Sequence, residues 1–152
     1  MVENPTLARP FPPLGITILV VDDERISRRV AYRLLSEEGY RVFEADGYEE
    51  AMDALGQAGG RVDLVLVDAV MPGTDGVTLA RQVQSEWPRI KVVFMSAHPA
   101  EILAQQGLSA LDVPFLAKPY TRDELVRKVR EALDRRSTPR TPSGQQRVNQ
   151  ED

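Results

Sequence analysis

The sequence predicts an α/β domain: a doubly wound sheet of five parallel strands with helices on both faces. Three observations lead there. Short apolar runs alternate with helix-period segments five times along the chain. Four of the five runs are apolar at consecutive positions, the pattern of strands covered on both faces rather than on one. The 152 residues suffice for one core and leave some over for tails.

The elements follow in order. Residues 1–14 carry Pro5, Pro10, Pro12 and Pro13 and read as an extended arm. A strand is predicted at Ile16–Val21. The next segment, Arg25–Glu37, sets Ile26, Val30 and Leu34 on one helical stripe and stops at Gly39. The second strand, Arg41–Ala45 ("RVFEA"), is mixed in character and suits a place nearer an edge. Tyr48–Gln57 is helical, with Ala51, Met52, Ala54 and Leu55 as its apolar residues.

A third strand at Asp63–Val67 precedes a helix at Val77–Glu86, which carries Val77, Leu79, Ala80 and Val83 and ends before Pro88. Trp87 at that end reads as packing. A strand at Lys91–Met95, a short helix at Pro99–Gln106 and a strand at Pro114–Ala117 come next. The last helix, Arg122–Arg136, opens on a capping box in which Thr121 caps and Glu124 reaches back. Leu125, Val126, Val129 and Leu133 form its predicted buried stripe. Residues 137–152 are polar, lack apolar periodicity and are expected to be disordered. The domain is therefore expected at 15–136.

Composition narrows the function. The chain is 42% hydrophobic and 28% charged, ordinary for a globular protein. Its net charge of -4 argues against a general nucleic-acid or anionic-membrane binder. Without cysteine there is no disulfide, thiolate catalysis or Cys-based zinc site. No apolar run approaches the ~20 residues that span a bilayer. The first residues lack the basic and apolar regions of a signal peptide, so the cytoplasm is the expected compartment.

In a doubly wound sheet every strand delivers its C-terminal end to one edge, where ligands bind. Strand one ends in Asp22 and Asp23, strand three in Asp68, strand four in Ser96 and strand five in Lys118. Three carboxylates held together are costly, since two unit charges ~4 Å apart repel by about 4 kcal/mol at an effective dielectric of 20. One lysine offsets one of them. A hard divalent cation with oxygen ligands, Mg²⁺, would offset the rest. A neutralised pocket holding a carboxylate, a lysine and a hydroxyl suits phosphoryl transfer, which needs chiefly positioning and charge stabilisation. Carboxylates also serve as nucleophiles that form aspartyl-phosphates.

With those residues stand the stretches "ILVVDDE", "DLVLVDAVMPGTDG", "VVFMSA" and "PFLAKPYTRDEL". Together they resemble the response-regulator receiver domain of two-component signalling, over about residues 15 to 135. The resemblance implies a flavodoxin-like (βα)5 fold with strand order 2-1-3-4-5. It makes Asp68 the phosphoacceptor. Asp22, Asp23, Asp68 and the backbone carbonyl of Val70 become the Mg²⁺ ligands. Ser96 and Lys118 become the groups that bind the phosphoryl oxygens. Phe115 falls at the family's switch aromatic, which turns inward when the hydroxyl residue moves. Val70 and His98 stand where residues tune the lifetime of the phosphorylated state, and Lys118–Pro119 is a candidate cis peptide.

The implied function is a phosphorelay receiver. Its partners would be a histidine kinase or histidine phosphotransfer protein and a downstream protein target, with neither nucleic acid nor membrane contacted directly. The phosphorylated form is a candidate homodimer. The signal would leave by the face built from the fourth helix, fifth strand and fifth helix. No output domain is expected in this chain, and no multiple-turnover enzyme on external substrates.

Plainer readings exist for each residue. Asp68 could be a loop acid, Asp22 and Asp23 helix caps, Ser96 a loop hydroxyl, Phe115 core packing, and the single histidine, His98, an exposed loop residue. Asp75 and Gly76 fix the turn and cap the third helix. What favours the functional reading is convergence on one edge. Among rivals, a haloacid-dehalogenase-like hydrolase needs an aspartate two after its nucleophile, where this chain has Val70. A dinucleotide binder needs G-x-G-x-x-G in the first turn, which reads "DDERIS". A binding module with a vestigial pocket would not keep the whole residue set.

Overall fold

The structure is a computed structural model that describes residues 15–71, 73, 76–98, 100 and 113–135. The Pro-rich arm at 1–14 and the tail at 137–152 lie outside them, as does the short helix predicted at 99–106 apart from Ala100. The elements are β1 (Thr17–Val21), α1 (Arg25–Glu37), β2 (Arg41–Ala45), α2 (Tyr48–Gln57), β3 (Leu64–Asp68), α3 (Gly76–Glu86), β4 (Lys91–Ser96), β5 (Phe115–Ala117) and α4 (Arg122–Asp134). All strand pairs are parallel, in the order β2-β1-β3-β4-β5. The mixed strand β2 is indeed at an edge.

Alternation along each inner strand explains the consecutive apolar runs. Side chains of a strand point to opposite faces in turn. Ile18, Val20, Leu64, Leu66, Val93 and Met95 go to one face, where Ala31 and Leu35 of α1 and Leu125, Val129 and Ala132 of α4 cover them. Leu19, Val21, Val65, Val67, Val92 and Phe94 go to the other, beneath Ala51 and Leu55 of α2 and Leu79, Ala80 and Val83 of α3. Both faces are dry, so a strand with one polar face would have failed here. Trp87 packs as expected: it lies against the second of these clusters and over the Gly59–Gly60 turn, where a Cβ on Gly60 would sit 2.4 Å from its ring.

Several element ends shift. Strands β3 and β4 each run one residue further than predicted, to Asp68 and Ser96, because the parallel ladder continues: Asp68 pairs with Met95, and the Ala69 amide donates to the Met95 carbonyl at 2.9 Å. Helix α4 shows the full capping box, Thr121 Oγ1 accepting from the Glu124 amide at 3.1 Å and Glu124 accepting from the Thr121 amide at 2.9 Å. It closes at Asp134, and its buried side chains are Leu125, Val129 and Ala132, with Val126 and Leu133 only partly covered.

One stripe is wrong. Ile26 is 78% exposed and Val30 45%, while Ala31 and Leu35 are the residues α1 buries. The two rows lie about 100° apart around the helix. A polar anchor sets the rotation: Arg28 shares the row of Ala31 and Leu35, and its guanidinium donates to the Asp22 carbonyl at 2.9 Å and to Glu44 of β2 at 3.0 Å. Periodicity counts apolar residues and takes no account of such an anchor. Among the described residues no helix is long and apolar enough to cross a membrane.

Candidate functional site

Parallel strands stop at the same edge, and the sheet order puts β3 between β1 and β4. Asp22 follows β1 directly. Its amide donates to the Ala45 carbonyl at 3.1 Å, and its side chain is fully buried. Its Oδ1 accepts from the Glu24 amide at 2.9 Å, so it turns the chain into α1 as well as facing the cleft. Asp23, next to it, is exposed, and among the described residues nothing donates to its carboxylate. Asp68 ends β3, with Oδ1 accepting from the Val70 amide at 2.9 Å. One carboxylate oxygen from each of Asp22, Asp23 and Asp68 lies within 4.8 Å of the others.

Lys118 closes the group. Its amide donates to the Ser96 carbonyl at 2.8 Å, and the peptide to Pro119 is cis, as anticipated. The Nζ donates to Asp22 Oδ2 at 3.1 Å and to Asp68 Oδ2 at 2.9 Å. Ser96 is buried, and its Oγ accepts from the His98 amide at 2.9 Å. Phe115 is half-buried, with its ring tilted against Phe94 at 5.2 Å between centroids, a packing contact. Val70 and His98 are exposed at the rim.

Electrostatics follow from burial. Desolvation pushes the Asp68 carboxyl above its ordinary value, against the pull of the Lys118 bond and the Val70 amide. For Lys118 burial works downward, but the bonds and charges of Asp68 and Asp22 win, and its ammonium is held above the usual range. Three acids share one lysine, so the cluster keeps a surplus of negative charge. That surplus, with the oxygen-only donor set and the unpartnered Asp23 carboxylate, fits a hard divalent cation.

Two features escaped the sequence. Gly76 begins α3 so close to the end of β3 that a Cβ on it would lie 2.1 Å from the Asp68 carbonyl oxygen. The glycine permits that approach, and its amide donates to the Ala69 carbonyl at 3.1 Å. Only the pairing of remote elements reveals it. The other is a cavity of about 340 Å³ beside Lys118, lined by Ser27, Val30, Ala97, Pro119 and Tyr120, next to the exposed Ile26 row. The misassigned rotation of α1 hid that surface.

Comparison with known proteins adds relatives to this geometry. The family model described as the response regulator receiver domain matches residues 18–130. The sensor kinase CckA of Brucella abortus (strain 2308) is 36% identical over 119 residues, 78% of this chain and 13% of that protein. The response regulator MprA of Mycolicibacterium vanbaalenii is 36% identical over 132 residues, 87% of this chain and 56% of that one. The chain thus spans less than two thirds of either relative. Among solved structures, the receiver domain from the hybrid histidine kinase CckA matches with a TM-score of 0.65 at 36% identity, over 78% of this chain and 99% of that chain. The response regulator TrrA from Thermotoga maritima, solved in complex with Mg²⁺-BeF, matches with a TM-score of 0.66 at 31% identity, over 77% and 98%.

Proposed function

The chain belongs to the response regulator receiver family, and on that premise we propose that Asp68 accepts a phosphoryl group from a phosphohistidine on a partner protein. One observation carries the reading: Lys118 Nζ bridges Asp22 and Asp68 in a cleft where a third acid also arrives. Asp22, Asp23, Asp68 and the Val70 carbonyl would hold a magnesium ion, which would supply positive charge to the phosphoryl oxygens. An Asp68 carboxylate oxygen attacks phosphorus, the phosphorus–nitrogen bond breaks, and the imidazole leaves with its electron pair. Lys118 holds a phosphoryl oxygen, and the Ser96 hydroxyl donates to another after turning from the His98 amide.

That turn is the switch. Movement of Ser96 opens space toward which Phe115 packs, and the equilibrium between two arrangements of the β4–β5 side shifts with phosphorylation. The donor is a histidine kinase or histidine phosphotransfer protein, for which the apolar row of Ile26 and Val30 beside the cleft offers a docking surface. Val70 and His98 at the rim govern how water reaches the acyl phosphate. The chain turns over no external substrate.

Incubation with acetyl phosphate and Mg²⁺, followed by intact mass, tests this. One added phosphoryl group that Asp68→Asn abolishes supports it. No adduct, or an adduct that persists in Asp68→Asn, overturns it, and repeated turnover of an external ester would make the chain a hydrolase instead.

A further inference from the structure

We propose that Arg28, held by Glu44, is a positioning residue that fixes the peptide between Asp22 and Asp23 and so sets how tightly the acidic cluster takes a divalent cation. The inference rests on the reading of those acids as magnesium ligands.

Asp22 is tied at every polar atom. Its amide reaches the Ala45 carbonyl, Oδ1 takes the Glu24 amide and Oδ2 takes Lys118. Its own carbonyl accepts from Arg28 Nη1 at 2.9 Å. That carbonyl belongs to the peptide leading into Asp23. Asp23 has no donor on its carboxylate among the described residues, so where that group points depends on the backbone beneath it. Arg28 therefore fixes one end of the peptide that carries Asp23.

The choice of residue supports a role beyond packing. Arg28 and Glu44 side chains are only 16% and 19% exposed. Withdrawing those two charges most of the way from water carries a desolvation cost that an apolar pair would not. An apolar side chain in the row of Ala31 and Leu35 would bind the helix to the sheet without that cost. What it could not do is donate to the Asp22 carbonyl. Glu44 aims the guanidinium: it sits in β2 opposite Val20, accepts from Nε at 3.0 Å, and leaves Nη1 directed at the loop. Arg29, 57% exposed, reaches the other oxygen of Glu44 and touches neither acid of the pair.

The test is calorimetric titration of the full chain with MgCl₂, without phosphodonor, alongside melting in EDTA. Arg28→Met should weaken Mg²⁺ binding by about tenfold, the scale typical of residues that orient metal ligands. Glu44→Gln should weaken it by about threefold and Arg29→Ala by less than about twofold, in line with how directly each touches the Asp22 carbonyl. Arg28→Lys, which keeps a donor, should recover part of the loss. If Arg28→Met does not fold, Glu44→Gln decides by the same measurement. Affinities within about twofold of the parent in both variants would reduce Arg28 to a helix anchor and overturn the proposal. A parent chain that binds no magnesium would overturn the functional reading and this inference together.

Discussion

Where the strands of this sheet begin, Asp63 accepts from the Thr17 amide at 2.8 Å, its own amide donates to the Thr17 carbonyl, and its carbonyl takes the Lys91 amide. The Lys91 ammonium goes to the Arg135 carbonyl at the end of α4. The charged groups of Asp63 and Lys91 each have a protein partner there. Where the strands stop, three carboxylates meet one lysine, and among the described residues one of them has no partner. Polar groups at the first end serve the fold, and those at the second burden it. Chains break local rules of this kind at functional or strained sites.

The comparison breaks most readily at Lys118. Changing it to Met removes the ammonium shared by the buried Asp22 and the part-buried Asp68 and should cost about 3 kcal/mol in EDTA, the scale for stranding a buried charge. Magnesium should return a large share of that loss. Denaturant curves with and without the ion check both parts, and an equal loss in each would mean that the ion is not held by these acids.

At the opposite end Asp63→Ala should cost about 2 kcal/mol, because the Thr17 amide is left without its acceptor. Its Mg²⁺ affinity should match the parent's. Were the affinity to fall, the two ends would not be independent.

Asp68→Asn should act in the other direction. The folded carboxyl is raised above its unfolded value, so its contribution is complete below the unfolded pKa and is lost as pH rises through the folded one. At neutral pH the charged Asp68 thus opposes folding, and the neutral amide should raise the metal-free melting temperature slightly. The gap should narrow as pH falls through the carboxylate range. A lower melting temperature for the variant at pH 7 would show that the bond to Lys118 outweighs burial.

Much of this was legible in the chain. The strands were legible to within a residue at their ends because residues such as Leu64 to Val67 are apolar without interruption, and that pattern fits few environments. Thr121 and Glu124 declared the start of α4 by local chemistry. The acids at 22, 23 and 68 were legible as a set because parallel topology sends all strand ends to one edge. The orientation of α1 was not legible. Ile26, Val30 and Leu34 and the row of Ala31 and Leu35 have similar spacing, and the decision lay with hydrogen bonds from Arg28 to residues on two other elements.

By itself, then, the sequence determined the period of each element, its order along the chain and the end of each strand at which charge appears. These depend on neighbours within a few positions, where side-chain alternation and capping act. Tertiary structure decided the rest: which face of α1 turns inward, how closely Gly76 lets α3 approach Asp68, and that a single ammonium spans Asp22 and Asp68. Each of those depends on distances of a few ångströms between residues far apart in the chain, which arise only when the elements pack.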